Sequence, residues 1–377
     1  MQQHPNSPTG NTYQDVGVDV NGAAQGLTGL LGWLNKTHAF PGAVGRPLLP
    51  NGFFANVHDL GNGLGIAIST DGVGTKLMVA EMTGNYVPAG IDCVAVNVND
   101  IICVGARPIA LVDYVAVQRV DPLVMEQLGQ GVYQGAEEAG VAIASGELAQ
   151  IPEMLRGVHE GTGFDIAGTA IGVVPTDRII DGRNIRDGDV VIGFHSSGIH
   201  SNGLTLARAT LLGPEAYTVD SRPPELGCTL GEELQRATRI YVRPVLEAIA
   251  ATQDVVGLAH ISGDGFLNLL RLRTSCGFEL SDLPAVPAIF TLIQKQGGVT
   301  AEEMYLVFNM GVGFCVVVRP NGVDTVLGIA ARLSSPAQVI GHARASLAGR
   351  RVTLPKQGLI GEGKRFRRGA AEPGELR

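Results

Sequence analysis

Aromatic side chains are scarce in this chain, making up 5% of its 377 residues with a single Trp. Charge is also sparse at 17%, and cations are in the shorter supply: Lys+Arg 28 against Asp+Glu 36, a net charge of −8. A nucleic-acid binder needs a cationic face and stacking rings, so nucleic acid is not an expected partner. Cys93, Cys103, Cys228, Cys276 and Cys315 are odd in number, widely spaced and mostly embedded in apolar runs. That pattern makes neither a disulfide frame nor a metal knuckle and reads as reduced core cysteines of a cytoplasmic protein. No apolar run is long enough to cross a bilayer. The most apolar stretch, from Ile91 to Val117, is broken by Asp92, Asn97, Asn99, Asp100, Arg107 and Asp113, and the polar start MQQHPNSPTGN lacks a secretory leader's basic and apolar parts. The expectation is a cytoplasmic protein without a membrane partner.

Glycine is abundant. The chain holds 52, roughly twice the ordinary ~7% share, with no collagen period and with 45% hydrophobic residues, so the excess must punctuate a folded protein. Short β-rich runs alternate with helix-period segments. Leu64–Thr70, Ile109–Val117, Val141–Ser145 and Phe164–Val174 read as strands, and Asp92–Gly105 and Pro122–Gly140 as helices. A polar stretch with Asp-Gly turns at 181–182 and 187–188 follows, after which strands (Val190–Phe194, Val255–His260) and helices (near Asn202, Gly231–Ala251, from Phe266) resume. The fold class is α/β (α+β) in two domains, each with its own core. The divisions are a flexible segment 1–20, an N-terminal domain 21–174, a C-terminal domain 175–354 and a disordered basic tail 355–377. From Arg350 onward eight basic residues face three acids, so the tail is +5 and the body −13.

The motif with most chemical content is Asp71-Gly72-Val73-Gly74-Thr75-Lys76, directly after a strand. A Gly-rich turn lets backbone N–H groups approach phosphate, Lys76 adds a cation, and Asp71 is a hard ligand suited to Mg²⁺. The order is not that of a Walker A loop, and taken alone it reads equally as a tight turn with a surface lysine. In the following helix Asp92, Asn99 and Asp100 share one face, two turns apart, among apolar neighbours. Buried carboxylates need a cation or dense hydrogen bonding, and Mg²⁺ carried in by a nucleotide would serve both Asp71 and Asp100. Asp113 is a further acid in an apolar strand, with a salt bridge to Arg107 as the plainer account. Ser145-Gly146-Glu147 places a carboxylate at a strand end, or caps a helix. Ser197-Gly198-Ile199-His200-Ser201-Asn202 opens a helix with small residues and a histidine, an anion-binding pattern, although a lone loop histidine is most often surface. His260-Ile-Ser-Gly263-Asp264-Gly265 repeats the theme.

Together with Tyr13–Asp19, Asn97–Asp100, Tyr241–Val245 and Met304–Gly313, these motifs occur in the order seen in the phosphoribosylformylglycinamidine cyclo-ligase (aminoimidazole ribonucleotide, AIR, synthetase) family, which the chain resembles from about Tyr13 to Leu354. The resemblance implies ATP-dependent closure of formylglycinamidine ribonucleotide to AIR, with ADP and phosphate released. It also implies a homodimer paired through N-terminal sheets, with ATP and Mg²⁺ near the interface. Carried over residue by residue, Asp71, Asp92 and Asp100 resemble the metal–phosphate acids, and Gly72, Gly74, Thr75 and Lys76 the nucleotide loop, with Asn99 and Asp113 beside them. Glu147, His200, His260 and Asp100 are the catalytic candidates, and Ser197, Gly198, Ser201 and Asn202 the substrate contacts. The chain departs from the family pattern at Leu148, Ile199 and Asp264. Thiamine-phosphate kinase-like, hydrogenase-maturation-like and non-catalytic relatives of the same superfamily stay open at this point.

Overall fold

The computed structural model describes residues 12–213, 216–347 and 350–369. Helix α1 (Val20–Leu34) is capped by Asp19, whose Oδ1 accepts from the Gly22 N–H at 2.8 Å. The first sheet holds β1 (Asn56–Gly61), β2 (Leu64–Gly72), β3 (Arg107–Val117), β4 (Ala142–Gln150) and β5 (Phe164–Pro175) in the order β1-β2-β5-β3-β4. Only the β3–β4 pair is parallel. Between β2 and β3 run α2 (Leu77–Thr83) and α3 (Val87–Ile102), and α4 (Pro122–Ala139) bridges β3 and β4. Asp121 caps α4 at its start and Gly140, at φ +68°, ends it.

Helices α3 and α4 cross at three glycines. A Cβ at Gly131 would run into the Val87 carbonyl, one at Gly90 into the Leu128 carbonyl, and one at Gly135 would come within 2.9 Å of Val94 Cβ. These glycines are fixed by close helix packing rather than by any loop.

The second sheet holds β6 (Val190–His195), β7 (Val255–His260), β8 (Gly277–Glu279), β9 (Val312–Val318), β10 (Ala337–Arg344), β11 (Val352–Leu354), β12 (Leu359–Glu362) and β13 (Arg365–Arg368), in the order β13-β12-β11-β8-β10-β6-β9-β7. Around it lie α5 (Leu204–Leu211), α6 (Leu230–Leu234), α7 (Val242–Ala251), α8 (Ala288–Gly297), α9 (Ala301–Val307) and α10 (Val323–Arg332). Strands β7 and β9 are buried along their whole length, which accounts for their unbroken apolar runs.

The α/β class and most strands agree with the sequence reading, and four details differ. Ser145–Glu147 lies inside β4, which is longer than its apolar start suggested. The helix expected over Gly231–Ala251 is two helices, α6 and α7, separated by an irregular segment from Gln235 to Tyr241. The helix expected from Phe266 is a 3₁₀ stretch, Gly265–Arg271. The tail is ordered to Gly369, because Leu359 and Phe366 bury themselves and pair β12 with β13 while the basic residues face outward. Residues 370–377 of that tail, like residues 1–11 of the N-terminal segment, lie outside the described residues. Residues 12–18 form a turn whose Tyr13 N–H donates to Glu303 Oε1 at 2.7 Å. The apolar core is also continuous between the domains, passing from the first sheet through Val98, Ile101 and Ile102 of α3 to β6 and β7. All five cysteines are free, and all but Cys228 are buried.

Candidate active site

Strand β2 ends at the Asp71–Lys76 loop, where Gly74 takes φ +73°. Asp71 accepts from its neighbour's N–H, Gly72, at 2.8 Å. Its side chain reaches solvent from a crowded cleft. Crowding first and the Asp100 carboxylate second raise its pKa, against the pull of Gly72, His260 and Arg271. Thr75 Oγ1 lies 2.8 Å from Thr205 Oγ1, so the loop touches the start of α5.

Lys76 does not face this cleft. It is 2% exposed and pairs at 2.6 Å with Asp92, which is fully buried, while donating to the Arg236 carbonyl at 2.6 Å. Burial pulls the Lys76 pKa down, and the Asp92 carboxylate opposes that pull. Asp92 also accepts the Thr238 N–H at 2.6 Å. Both Asp92 oxygens are therefore engaged, which corrects the expectation of a metal ligand at 92 and of a phosphate cation at 76. Asn99 is likewise committed: its Nδ2 donates to the Arg239 carbonyl at 2.9 Å and its Oδ1 accepts from the Tyr241 N–H at 3.0 Å. It holds backbone, not nucleotide. Asp92, Asn99 and Lys76 together staple the irregular segment Gln235–Tyr241 of the second domain onto α2 and α3, assisted by Gln235 Nε2 on the Asn85 carbonyl at 2.7 Å. Asn97 supports the acid loop from behind, donating to the Asp71 carbonyl at 3.1 Å.

Asp100 turns the other way. Its Oδ1 accepts from Nδ1 of His260 at 2.8 Å. A carboxylate only accepts here, so Nδ1 carries a proton, and whenever the ring is neutral its lone pair is on Nε2. His260 is buried at the end of β7 and stacks on Phe314 at 6.4 Å.

His200 is buried too, at φ +68°. Its Nε2 accepts from the Ser197 N–H at 3.2 Å, so the proton sits on Nδ1, which has no hydrogen-bond partner. Burial, then the positive field of His260, Lys76 and Arg239, drives its pKa well below the ordinary value and keeps the imidazole neutral. His200 and His260 line one small void with Ser201, Asn202, Thr238 and Asn309.

Of the substrate candidates, Ser197 gives its hydroxyl to the Ala237 carbonyl at 2.6 Å and Ser201 pairs with Thr238 at 3.2 Å. The Gly198 carbonyl takes Asn309 Nδ2 at 2.9 Å. These three bonds shape the His200 loop, and Ser201 and Asn202 lie beside the void. Asn309, absent from the candidate set, clamps that loop through the Gly198 and Ile199 carbonyls. The signal for it was an asparagine before Met310-Gly311 in an apolar run.

Two candidates lie elsewhere. Glu147 pairs in register with Tyr114 and shares the open, helix-free face of the first sheet, away from the histidines. Asp113 faces the α4 side, where burial raises its pKa, and makes no salt bridge with Arg107 among the described residues. Among the described residues no three His, Cys, Asp or Glu side chains converge to hold a metal by themselves. Asp71 and Asp100 are near enough for the charge of one to raise the pKa of the other, and both are hard oxygen donors of the kind magnesium takes.

Two α/β units joined through a buried polar seam, with Asp71 at a Gly-rich strand end, Asp100 of α3 paired to His260 at the end of β7 and His200 in the loop before α5, are the arrangement of an AIR synthase-related protein. The family descriptions "AIR synthase related protein, N-terminal domain" and "C-terminal domain" match residues 54–174 and 186–351. Phosphoribosylformylglycinamidine cyclo-ligase of Methanothermobacter thermautotrophicus is 47% identical over 318 residues, 84% of this chain and 90% of that protein. Its namesake from Pyrococcus furiosus is 47% identical over 321 residues, 84% of this chain and 91% of that one. The chain belongs to the phosphoribosylformylglycinamidine cyclo-ligase family. Among solved structures, a thiamine-monophosphate kinase from Stenotrophomonas maltophilia aligns with TM-score 0.58 at 18% identity over 85% of this chain and 93% of that one. PurL of T. maritima complexed with ADP aligns with TM-score 0.54 at 17% identity, over 82% of this chain and 44% of that chain. These two share the fold.

Proposed function

We propose that this chain closes the five-membered ring of AIR, using ATP to phosphorylate the formyl oxygen of formylglycinamidine ribonucleotide so that a ring nitrogen displaces phosphate. The observations that carry this reading are the Asp100–His260 pair, the charge of Asp100 acting on Asp71 at the neighbouring strand end, and a neutral His200 that shares a small void with His260. An amide oxygen is a poor leaving group, and converting it to a phosphate needs charge neutralisation, positioned donors and little water. The His200 Nδ1–H is a buried donor that a substrate oxygen would satisfy. His260, held in one tautomer by Asp100, offers Nε2 to the proton released as the nitrogen attacks. Asp71 and the second Asp100 oxygen would hold Mg²⁺, which when bound neutralises the polyphosphate.

We also read the protein as a cytoplasmic homodimer, consistent with five unpaired thiols. No helix among the described residues is long and apolar enough to cross a membrane. The open face of the first sheet exposes Leu64, Ile68 and Tyr114, and α1 exposes Leu27, Leu30 and Trp33. A second copy is the occupant that would cover this surface and bring Glu147 toward a neighbouring site.

The test is purified protein with ATP, Mg²⁺ and formylglycinamidine ribonucleotide, following AIR as a diazotisable amine. Stoichiometric AIR and ADP are expected. ADP release that does not depend on the ribonucleotide would overturn the reading. Asp100→Asn should lose turnover by about two orders of magnitude or more while staying folded, since it frees the His260 tautomer and removes a carboxylate.

A further inference from the structure

With Lys76 buried against Asp92, the cleft has lost the cation that its loop promised. Asp71 and Asp100 would then present only negative charge to an incoming phosphate. The nearby cation is Arg271, at the end of the 3₁₀ stretch. Its guanidinium sits 5.0 Å from the ring centroid of Phe54, and Phe54 shares a cavity of about 190 Å³ with Thr70 and Asp100. The charge of Arg271 also lowers the Asp71 pKa, against the larger upward effects of burial and Asp100.

Arg271 is also fixed in place. Its Nη2 donates to Asp264 Oδ2 at 3.1 Å, and the same oxygen takes Lys364 Nζ at 2.8 Å from the β12–β13 turn. Burial works to raise the Asp264 carboxyl, but Lys364 and Arg271 hold it below the usual range. Asp264 lies between Gly263 and Gly265, at the one of these three positions where a side chain can be carried. A Cβ at Gly265, at φ +54°, would strike the Tyr305 carbonyl, and one at Gly263 would come within 3.0 Å of Asn202 Oδ1. Arg271 remains 32% exposed. One edge and one face of the guanidinium are therefore taken, and its remaining N–H groups stay open for bidentate recognition of phosphate.

We propose that Arg271 is the phosphate-recognising residue of this cleft, with Asp264 as a positioning residue that aims it and Lys364, from the C-terminal hairpin, as the cation that cancels the charge Asp264 brings. This rests on the reading of the cleft given above. Phosphate reaches such a cleft from two sources, the ATP polyphosphate and the 5′-phosphate of the ribonucleotide.

The experiment compares full-length wild type with Arg271→Ala, Arg271→Lys, Asp264→Asn and Lys364→Ala. Equilibrium binding of ADP with Mg²⁺ and of the ribonucleotide is measured by calorimetry, and KM and kcat for each substrate are measured by the AIR assay. Arg271→Ala should weaken one of the two ligands roughly 10- to 100-fold, the range of a lost charge-assisted bond. Arg271→Lys should recover only part, because an ammonium lacks the planar fork. Weaker ADP binding assigns Arg271 to the polyphosphate, and weaker ribonucleotide binding assigns it to the 5′-phosphate. Asp264→Asn and Lys364→Ala should raise the same KM several-fold with kcat nearly unchanged, a split that a merely structural role would not produce. Wild-type affinity for both ligands in folded Arg271→Ala, or in Arg271→Lys should the alanine variant unfold, overturns the proposal. Loss of ADP binding in Arg271→Ala, in a wild type that makes no AIR, would leave this inference standing and sink the proposed reaction instead.

Discussion

Lys76→Met separates two roles that the sequence alone leaves entangled. If Lys76 binds phosphate, the change removes activity and spares stability. The structure predicts the reverse order of effects. Lys76 is 2% exposed and Asp92 fully buried, 2.6 Å apart. Methionine keeps most of the side-chain volume but strands the Asp92 carboxylate with the Thr238 N–H as its remaining donor and leaves the Arg236 carbonyl without its ammonium. Removing one partner of a buried ion pair costs about 3–5 kcal/mol. At ~2–4 °C per kcal/mol for a domain of this size, the midpoint should fall by about 10 °C.

The double variant Lys76→Met/Asp92→Asn supplies the check. With no charge left in the seam, the remaining penalty is that of unsatisfied backbone groups, about 1–3 kcal/mol. The double should thus be more stable than Lys76→Met alone, and the cycle should show a coupling of about 2 kcal/mol or more. Thermal and urea unfolding measure the stability, and calorimetric ADP binding at low temperature measures the site. A Lys76→Met protein that melts within about 2 °C of wild type and has lost ADP binding would refute the buried-staple reasoning, since Lys76 would then have to reach the nucleotide.

His200 makes stability depend on pH with a definite sign. Folded, it stays neutral because its pKa is held well below normal; unfolded, it takes a proton below about pH 6.5. The unfolded state then binds more protons, so stability is intact above that pH and falls as pH drops, by up to about 1.4 kcal/mol per unit. His200→Asn, which tolerates φ +68°, should flatten urea-derived stability between pH 5 and 6.5, and an unchanged slope would exclude His200 as the cause. Gly313→Ala should be poorly folded, because its Cβ would overlap the Tyr241 hydroxyl and meet His200 Cε1 at 2.5 Å; a melting point equal to wild type would contradict that packing. Tyr114→Arg on the open sheet face should convert a dimer to monomers in sedimentation velocity. A monomeric wild type would remove the basis for that expectation.

Strands and helices were readable here because burial repeats along them: β2 alternates, β7 and β9 are apolar throughout, and the spacing of Asp92, Asn99 and Asp100 does put them on one helix. The sequence reading failed where the partner is backbone. Asp92 and Asn99 have the composition of metal and nucleotide ligands, yet what they hold is the N–H and carbonyl groups of residues 238, 239 and 241, about 140 positions away. Main chain has no residue signature, so a buried carboxylate that caps backbone and one that holds a cation look alike in a sequence. Only Asp100, one residue further round the helix, points to His260. The glycine excess carries the same ambiguity. Gly74 and Gly265 do sit at the cleft with positive φ, but Gly90, Gly131 and Gly135 exist so that α3 can lie against α4. That close crossing bears on the chemistry as well, because α3 carries both the staple that fixes the second domain and the acid that orients His260.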